Sequence, residues 1–265
     1  MNFYRSVHSK TMRTILNLFP MVVAVIFALI PCMASAEIAY KGFTINESEC
    51  AAMPQMATMA SRTEEQMDMA TSVGESPDLI RFFQGLPIAL KSISVPGGTP
   101  GLYLGGPSGG VEIYPNIIVI GHKPVLLHEM LHAYHDRVLK DGFMNAEIFR
   151  YYLTAKSLHL FDNQSHMMSN QREFFACAAT TYLFGVTAQE PFTRERLQQC
   201  DPEFYSYLQS LFGPGAGTFK GWLSLLNDPS KRLNLKNQLS CFGNAGVFDT
   251  SLGAQAFGIG TLRQA

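Results

Sequence analysis

Apolar positions follow helical spacing in some stretches of this chain and alternate in others, and the two patterns divide it into elements. Residues 47–74, rich in Met, Ala, Glu and Gln, predict a helix with its methionines turned inward as core filler. From residue 86 to 120 the period shortens to that of strands. PIALKSISV at 87–95, GLYL at 101–104 and VEIY at 111–114 predict a small sheet, with Pro107-Ser108-Gly109-Gly110 as the turn of a hairpin. Lys123-Pro124 then opens a helix running from Val125 to about residue 140 and stopped by Gly142. It is apolar on most sides, so it must be buried. Helical spacing dominates afterwards, at 144–160, 171–183, 202–211 and 219–225, and beyond Asn227 no element is predicted. The order implies an α+β fold: a strand-bearing lobe over about 37–142, a buried central helix, and a helical lobe over about 143–265.

The first 36 residues follow another pattern. Arg5, Lys10 and Arg13 precede an apolar run at 15–30, and Ala34-Ser35-Ala36 offers a small-residue cleavage site before Glu37. This is the layout of a secretory signal peptide, which makes 1–36 a leader and 37–265 the exported domain, secreted or periplasmic. The alternative is an uncleaved anchor, although the run falls short of a spanning helix. After cleavage no stable membrane anchor is expected. The chain has 20 Lys and Arg against 21 Asp and Glu, with no basic run, which argues against nucleic acid as a partner. Cys32 leaves with the leader. Cys50, Cys177, Cys200 and Cys241 remain, and an even count in an exported chain implies two disulfides, with Cys200–Cys241 the favoured pair. Buried free thiols are the alternative.

His128-Glu129-Met130-Leu131-His132 is an HExxH pattern inside the predicted buried helix. Residues four apart share a helix face, so both imidazoles can reach one cation. Glu129 is offset by about 100°, which directs it at a water rather than at the ion. Two His suit Zn²⁺, which lowers the pKa of a water it binds to about 7, and a neighbouring carboxylate can then take the proton. A catalytic zinc needs a third protein ligand. His135 is excluded by distance: it lies about 10 Å from His128 along the axis, far beyond the reach of bonds of about 2.1 Å. Glu173, in Asn170-Gln171-Arg172-Glu173, is the other candidate. The same spacing is also a capping box, and spacing alone leaves ligand and cap open.

HEMLH followed about 40 residues later by NQREFFA resembles the glutamate-zincin peptidases, most closely the lethal factor and clostridial Pro-Pro endopeptidase type. The resemblance covers about residues 100–185. It implies a zincin-like fold, one Zn²⁺ per chain held by His128, His132 and Glu173, Glu129 as general base, and a peptide or protein substrate. Two departures stand out. His166 occupies the position where that family usually has a Tyr that stabilises the oxyanion. An imidazole N–H can donate to the same oxygen, and the alternative is an exposed loop histidine. Cys177 stands where the relatives have an acidic partner for a ligand histidine, so Asp136 or a backbone carbonyl would have to serve. The segments 101–106 and 111–116 resemble the zincin edge strand and its neighbour, to which a peptide could add as a further strand. The expected function is a secreted zinc-dependent endopeptidase. The alternative is an exported binding protein of the same fold without turnover, which would have no need of Glu129.

Overall fold

The computed structural model describes residues 37–214 apart from 74–75, 96–97 and 122. The expected signal peptide, the expected helix at 219–225 and Cys241 lie outside the described residues.

A hairpin absent from the sequence reading begins the fold. β1 (Glu37–Tyr40) and β2 (Phe43–Asn46) pair antiparallel around Lys41-Gly42, both with positive φ, as a two-residue hairpin turn demands. α1 (Met56–Thr71) starts later than the 47–74 expectation because a turn, Cys50 N–H to Glu47 C=O, occupies its first residues. Its Met59, Met67 and Met69 are buried in the core. α2 (Pro77–Gln84) was not predicted either. Ser76 caps it by accepting from Leu79 N–H, and Pro77 occupies the first turn.

β3 (Ile88–Leu90), β4 (Gly101–Tyr103) and β5 (Val111–Ile113) complete a five-stranded sheet in the order β1-β2-β3-β5-β4. β2, β3 and β5 run parallel, while β4 pairs antiparallel with β5 and forms one edge. Phe43, Ile45, Ile88, Leu90, Val111 and Ile113 bury alternate positions in the core, each contributing about 1.5–3 kcal/mol of apolar burial.

α3 (Val125–Arg137) packs against α1, β4 and α5. Its start has no side-chain cap of its own. Gln66 of α1 supplies one instead, accepting from Leu126 N–H (3.1 Å) and donating to the Lys123 carbonyl (2.8 Å). The helix ends at Arg137 rather than near 140. Val138 and Leu139 both turn their N–H onto the Tyr134 carbonyl, and Asp141 and Gly142 take positive φ. A Cβ on Gly142 would stand 2.6 Å from the Asp136 carbonyl, so glycine is what lets the chain fold under the helix end.

The remainder is helical: α4 (Ala146–Ser157), α5 (Gln171–Phe184), α6 (Arg194–Cys200) and α7 (Pro202–Phe212). Asn145, Asn170, Thr193 and Asp201 cap them in turn. The architecture is α+β, a mixed sheet followed by a helical region, as the pattern implied. Cysteine pairing departs from expectation. Cys50, Cys177 and Cys200 carry free thiols. Two bridges among four cysteines would require at least one pair within these three, so the two-disulfide pattern is not formed. Cys50 and Cys177 are buried deep in the core, where a free cysteine packs as a small apolar side chain.

Candidate metal centre

α3 and α5 pack closely, and their contact brings the predicted residues together. His128 and His132, one turn apart, meet edge to face with ring centroids 4.7 Å apart. Glu173, in the first turn of α5, faces them. Its Oε2 lies 3.2 Å from His128 Nε2 and 3.3 Å from His132 Nε2, and the two Nε2 atoms are 3.1 Å apart. Bonds of about 2.0–2.1 Å around a tetrahedral ion separate its donors by about 3.3–3.4 Å. The three donor atoms therefore have the spacing and chemistry of a zinc site.

Burial would raise the Glu173 carboxyl. Hydrogen bonds from His128, His132 and His166 outweigh that and hold it far below the usual carboxylate range, so it is ionised and ready to bind a cation. Nor does Glu173 act as half of a capping box. Asn170 alone caps α5, through Arg172 N–H (2.9 Å) and Glu173 N–H (3.1 Å), while the Glu173 carboxylate turns to the imidazoles.

A wider set, His128, His166, Glu173 and Cys177, has donor atoms within 4.8 Å of one another. His132 Nε2 is closer than that to both His128 and Glu173. Cys177 Sγ accepts from Gln189 Nε2 (3.2 Å), and burial, then the charges of Glu173 and Glu129, push its thiol up. His128, His132 and Glu173 are thus the better donor set.

His166 precedes the 3-10 turn Met167–Ser169, which is pinned by the buried Met167 and Met168. Its side chain remains 56% exposed, with Nε2 2.9 Å from Glu173 Oε2. That hydrogen bond raises its pKa, against the lowering effect of burial. It stands at the mouth of the site with a polarised N–H.

Glu129 is buried on the α3 face toward β4. Its Oε2 accepts from Tyr103 N–H at 2.8 Å. Burial pushes its carboxyl up, opposed by the His128 charge and the Tyr103 N–H. Of the two acceptors expected for a ligand histidine, Asp136 or a backbone carbonyl, Asp136 is engaged elsewhere. Asp136 Oδ2 accepts from Tyr103 Oη–H (2.8 Å) and Gly106 N–H (3.1 Å), and His128 Nδ1 is buried without a hydrogen-bond partner among the described residues. Tyr103 carried no motif or spacing that could have marked it.

His135 is packing. It is fully buried between Phe143 (5.2 Å) and Phe175 (4.8 Å), with neither ring nitrogen hydrogen-bonded among the described residues. Burial, and then His132, lower its pKa from 6.5 to about 4. The unfolded chain therefore takes up this proton first, so the contribution is fully present above pH 6.5 and is lost as pH falls to 4. His135→Phe is expected to remove about 3 kcal/mol of that acid sensitivity. Thermal melts of both proteins between pH 7 and 4 check this, and parallel profiles would refute it.

Residues 115–211, which supply all five predicted site residues, match the family model described as "Anthrax toxin lethal factor, N- and C-terminal domain". No curated protein matches the chain. Among solved structures, the Pro-Pro endopeptidase PPEP-2 of Paenibacillus alvei is similar at 18% identity and a TM-score of 0.43, over 63% of this chain and 97% of that one. Residues 115–211, which hold both helices of the candidate site, are thus similar to the anthrax toxin lethal factor family.

Proposed function

We propose that the protein is an exported zinc-dependent endopeptidase, with His128, His132 and Glu173 as metal ligands, Glu129 as general base and His166 as an oxyanion donor. The observation that carries this reading is the meeting of three donor atoms within 3.3 Å of one another, with a buried carboxylate next to one of them in sequence. Zinc held there would supply Lewis acidity toward a carbonyl oxygen and toward water. The other roles belong to the chain. Glu129, with Oε2 held by Tyr103 N–H, presents its other oxygen to take a proton and return it to the leaving amine. His166, exposed beside Glu173, donates to the oxygen on which charge develops.

β4 is the substrate platform in this reading. It is a sheet edge bordering Glu129, and its Leu102 side chain is exposed. An extended peptide can add through its main-chain groups other than Tyr103 N–H, which Glu129 occupies. The intact Glu129 disfavours the rival reading of a binding protein without turnover. Export rests on the pattern of the first 36 residues.

Metal analysis of the purified protein is the direct test. About one zinc per chain is expected, lost in His128→Ala and His132→Ala, together with cleavage of a peptide library that a chelator stops and added zinc restores. A protein that neither holds zinc nor takes it up would overturn the proposal.

A further inference from the structure

Tyr103 touches α3 at two places. Its main-chain N–H meets Glu129, and its hydroxyl donates to Asp136 at 2.8 Å. Those residues are two helical turns apart, about 10 Å along the axis, so one tyrosine lies lengthwise on the helix that bears both histidines. Arg137 Nε donates to the same hydroxyl at 2.9 Å, and another of its nitrogens donates to the Gly109 carbonyl. Asp136 also accepts from Gly106 N–H. The hairpin between β4 and β5 is thereby fastened to the end of α3. At the other end of β4 the approach to α3 is close: a Cβ on Gly101 would stand 2.9 Å from Val125 Cγ1 and 3.1 Å from Glu129 Cγ and would push those side chains aside.

We propose that Tyr103, held by Asp136 and Arg137, is a positioning residue that locks the substrate edge strand and the Glu129 carboxylate to the metal-bearing helix as one rigid unit. This rests on the peptidase reading above. The reasoning concerns freedom of rotation. A glutamate carboxylate can turn about its last bond, and both oxygens compete for any donor. Tyr103 N–H takes one oxygen and leaves the other for proton transfer. That N–H is placed by the pairing of Tyr103 with Val111 in the sheet and by the ring, which its hydroxyl fastens to α3. Hydrogen bonds to charged partners on both sides are the strong kind, so the Asp136–Tyr103–Arg137 chain is a stiff tie rather than a surface contact. β4 is also where a peptide would add, so the same tie fixes the distance between substrate main chain and base. Misplacement by about 1 Å costs on the order of 100-fold in rate.

The test uses the zinc-loaded full chain with Tyr103→Phe and Asp136→Ala, reading kcat, KM, zinc content and amide hydrogen exchange at position 103. In both variants kcat is expected to fall about 10–100-fold with KM changed less than about threefold. Zinc should stay at one per chain. The amide at position 103 should exchange at least about tenfold faster while amides in the middle of α3 keep their protection. Asp136→Asn, which keeps an acceptor for the hydroxyl, should recover most of the loss. Unchanged exchange at position 103, or an unchanged kcat, overturns the proposal, as does a loss confined to KM. If Asp136→Ala does not fold, Tyr103→Phe decides, since it removes a single oxygen. If the unaltered protein cleaves no peptide, the peptidase reading fails by itself, and the exchange measurement alone decides whether the tie exists.

Discussion

Glu173→Ala is expected to empty the zinc site of a chain that stays folded, whereas Asn170→Ala should weaken the fold and keep the zinc. The two residues sit three apart at the start of α5 and divide the work there. The Asn170 side chain satisfies the N–H groups of Arg172 and Glu173, which the helix itself cannot. Its loss should cost about 0.5–2 kcal/mol, read as a lower Tm. The Glu173 carboxylate instead faces His128, His132 and His166, all within 3.3 Å. Without it two imidazoles remain, and zinc affinity should fall by orders of magnitude with turnover lost alongside. Metal content after equal dialysis, measured beside a thermal melt, separates the two roles. Equal zinc in both variants would show that the third ligand lies elsewhere, and His166 would be the next residue to replace.

The elements that positioned the site were legible because each carried its own local signal. The 125–137 helix is apolar on most faces and begins after a proline. α5 begins at an Asn whose side chain is its cap. The boundary misplaced at residue 140 depended on contacts that spacing does not encode, namely the turn of Val138 and Leu139 onto Tyr134 and the close approach of Gly142 to Asp136. The hairpin at Lys41-Gly42 and the helix after Ser76-Pro77 did have local signals. EIAY and FTIN alternate on either side of a turn dipeptide, and a serine before a proline opens a helix.

Within the site, His128, Glu129 and His132 were readable because helical period alone places them. Spacing alone left Glu173 open between cap and ligand, and the resemblance pointed to the ligand; that its carboxylate meets the imidazoles follows from the packing of α5 across α3, a tertiary fact. Asp136, one of the two acceptors left open for a histidine of the site, is drawn away for the same reason: the helix carries residue 136 round to β4, where Tyr103 and Gly106 claim it. No spacing rule joins positions 103 and 129.

Glu129→Gln is expected to lower turnover by about 10²–10⁴-fold or more while leaving zinc at one per chain. Glutamine keeps the shape and can still accept from Tyr103 N–H, but its amide cannot take a proton. The substitution should also shift stability in the opposite sense. Burial raises the Glu129 carboxyl, so the folded state holds its proton more tightly than the unfolded chain does. A carboxyl raised in this way favours folding less as pH climbs past its ordinary range, so at neutral pH its burial is a burden on the fold. In metal-free protein Glu129→Gln should therefore raise the Tm at pH 7, with the gain shrinking as the pH falls toward 4 and the native carboxyl regains its proton. Such a trade, stability given up where a reactive group is buried, is what an active site requires and a binding surface does not. A variant that retains zinc and full turnover would refute Glu129 as the base. One that loses turnover with no gain in neutral-pH stability would place the base correctly and show that Tyr103 and His128 already offset the cost of its burial.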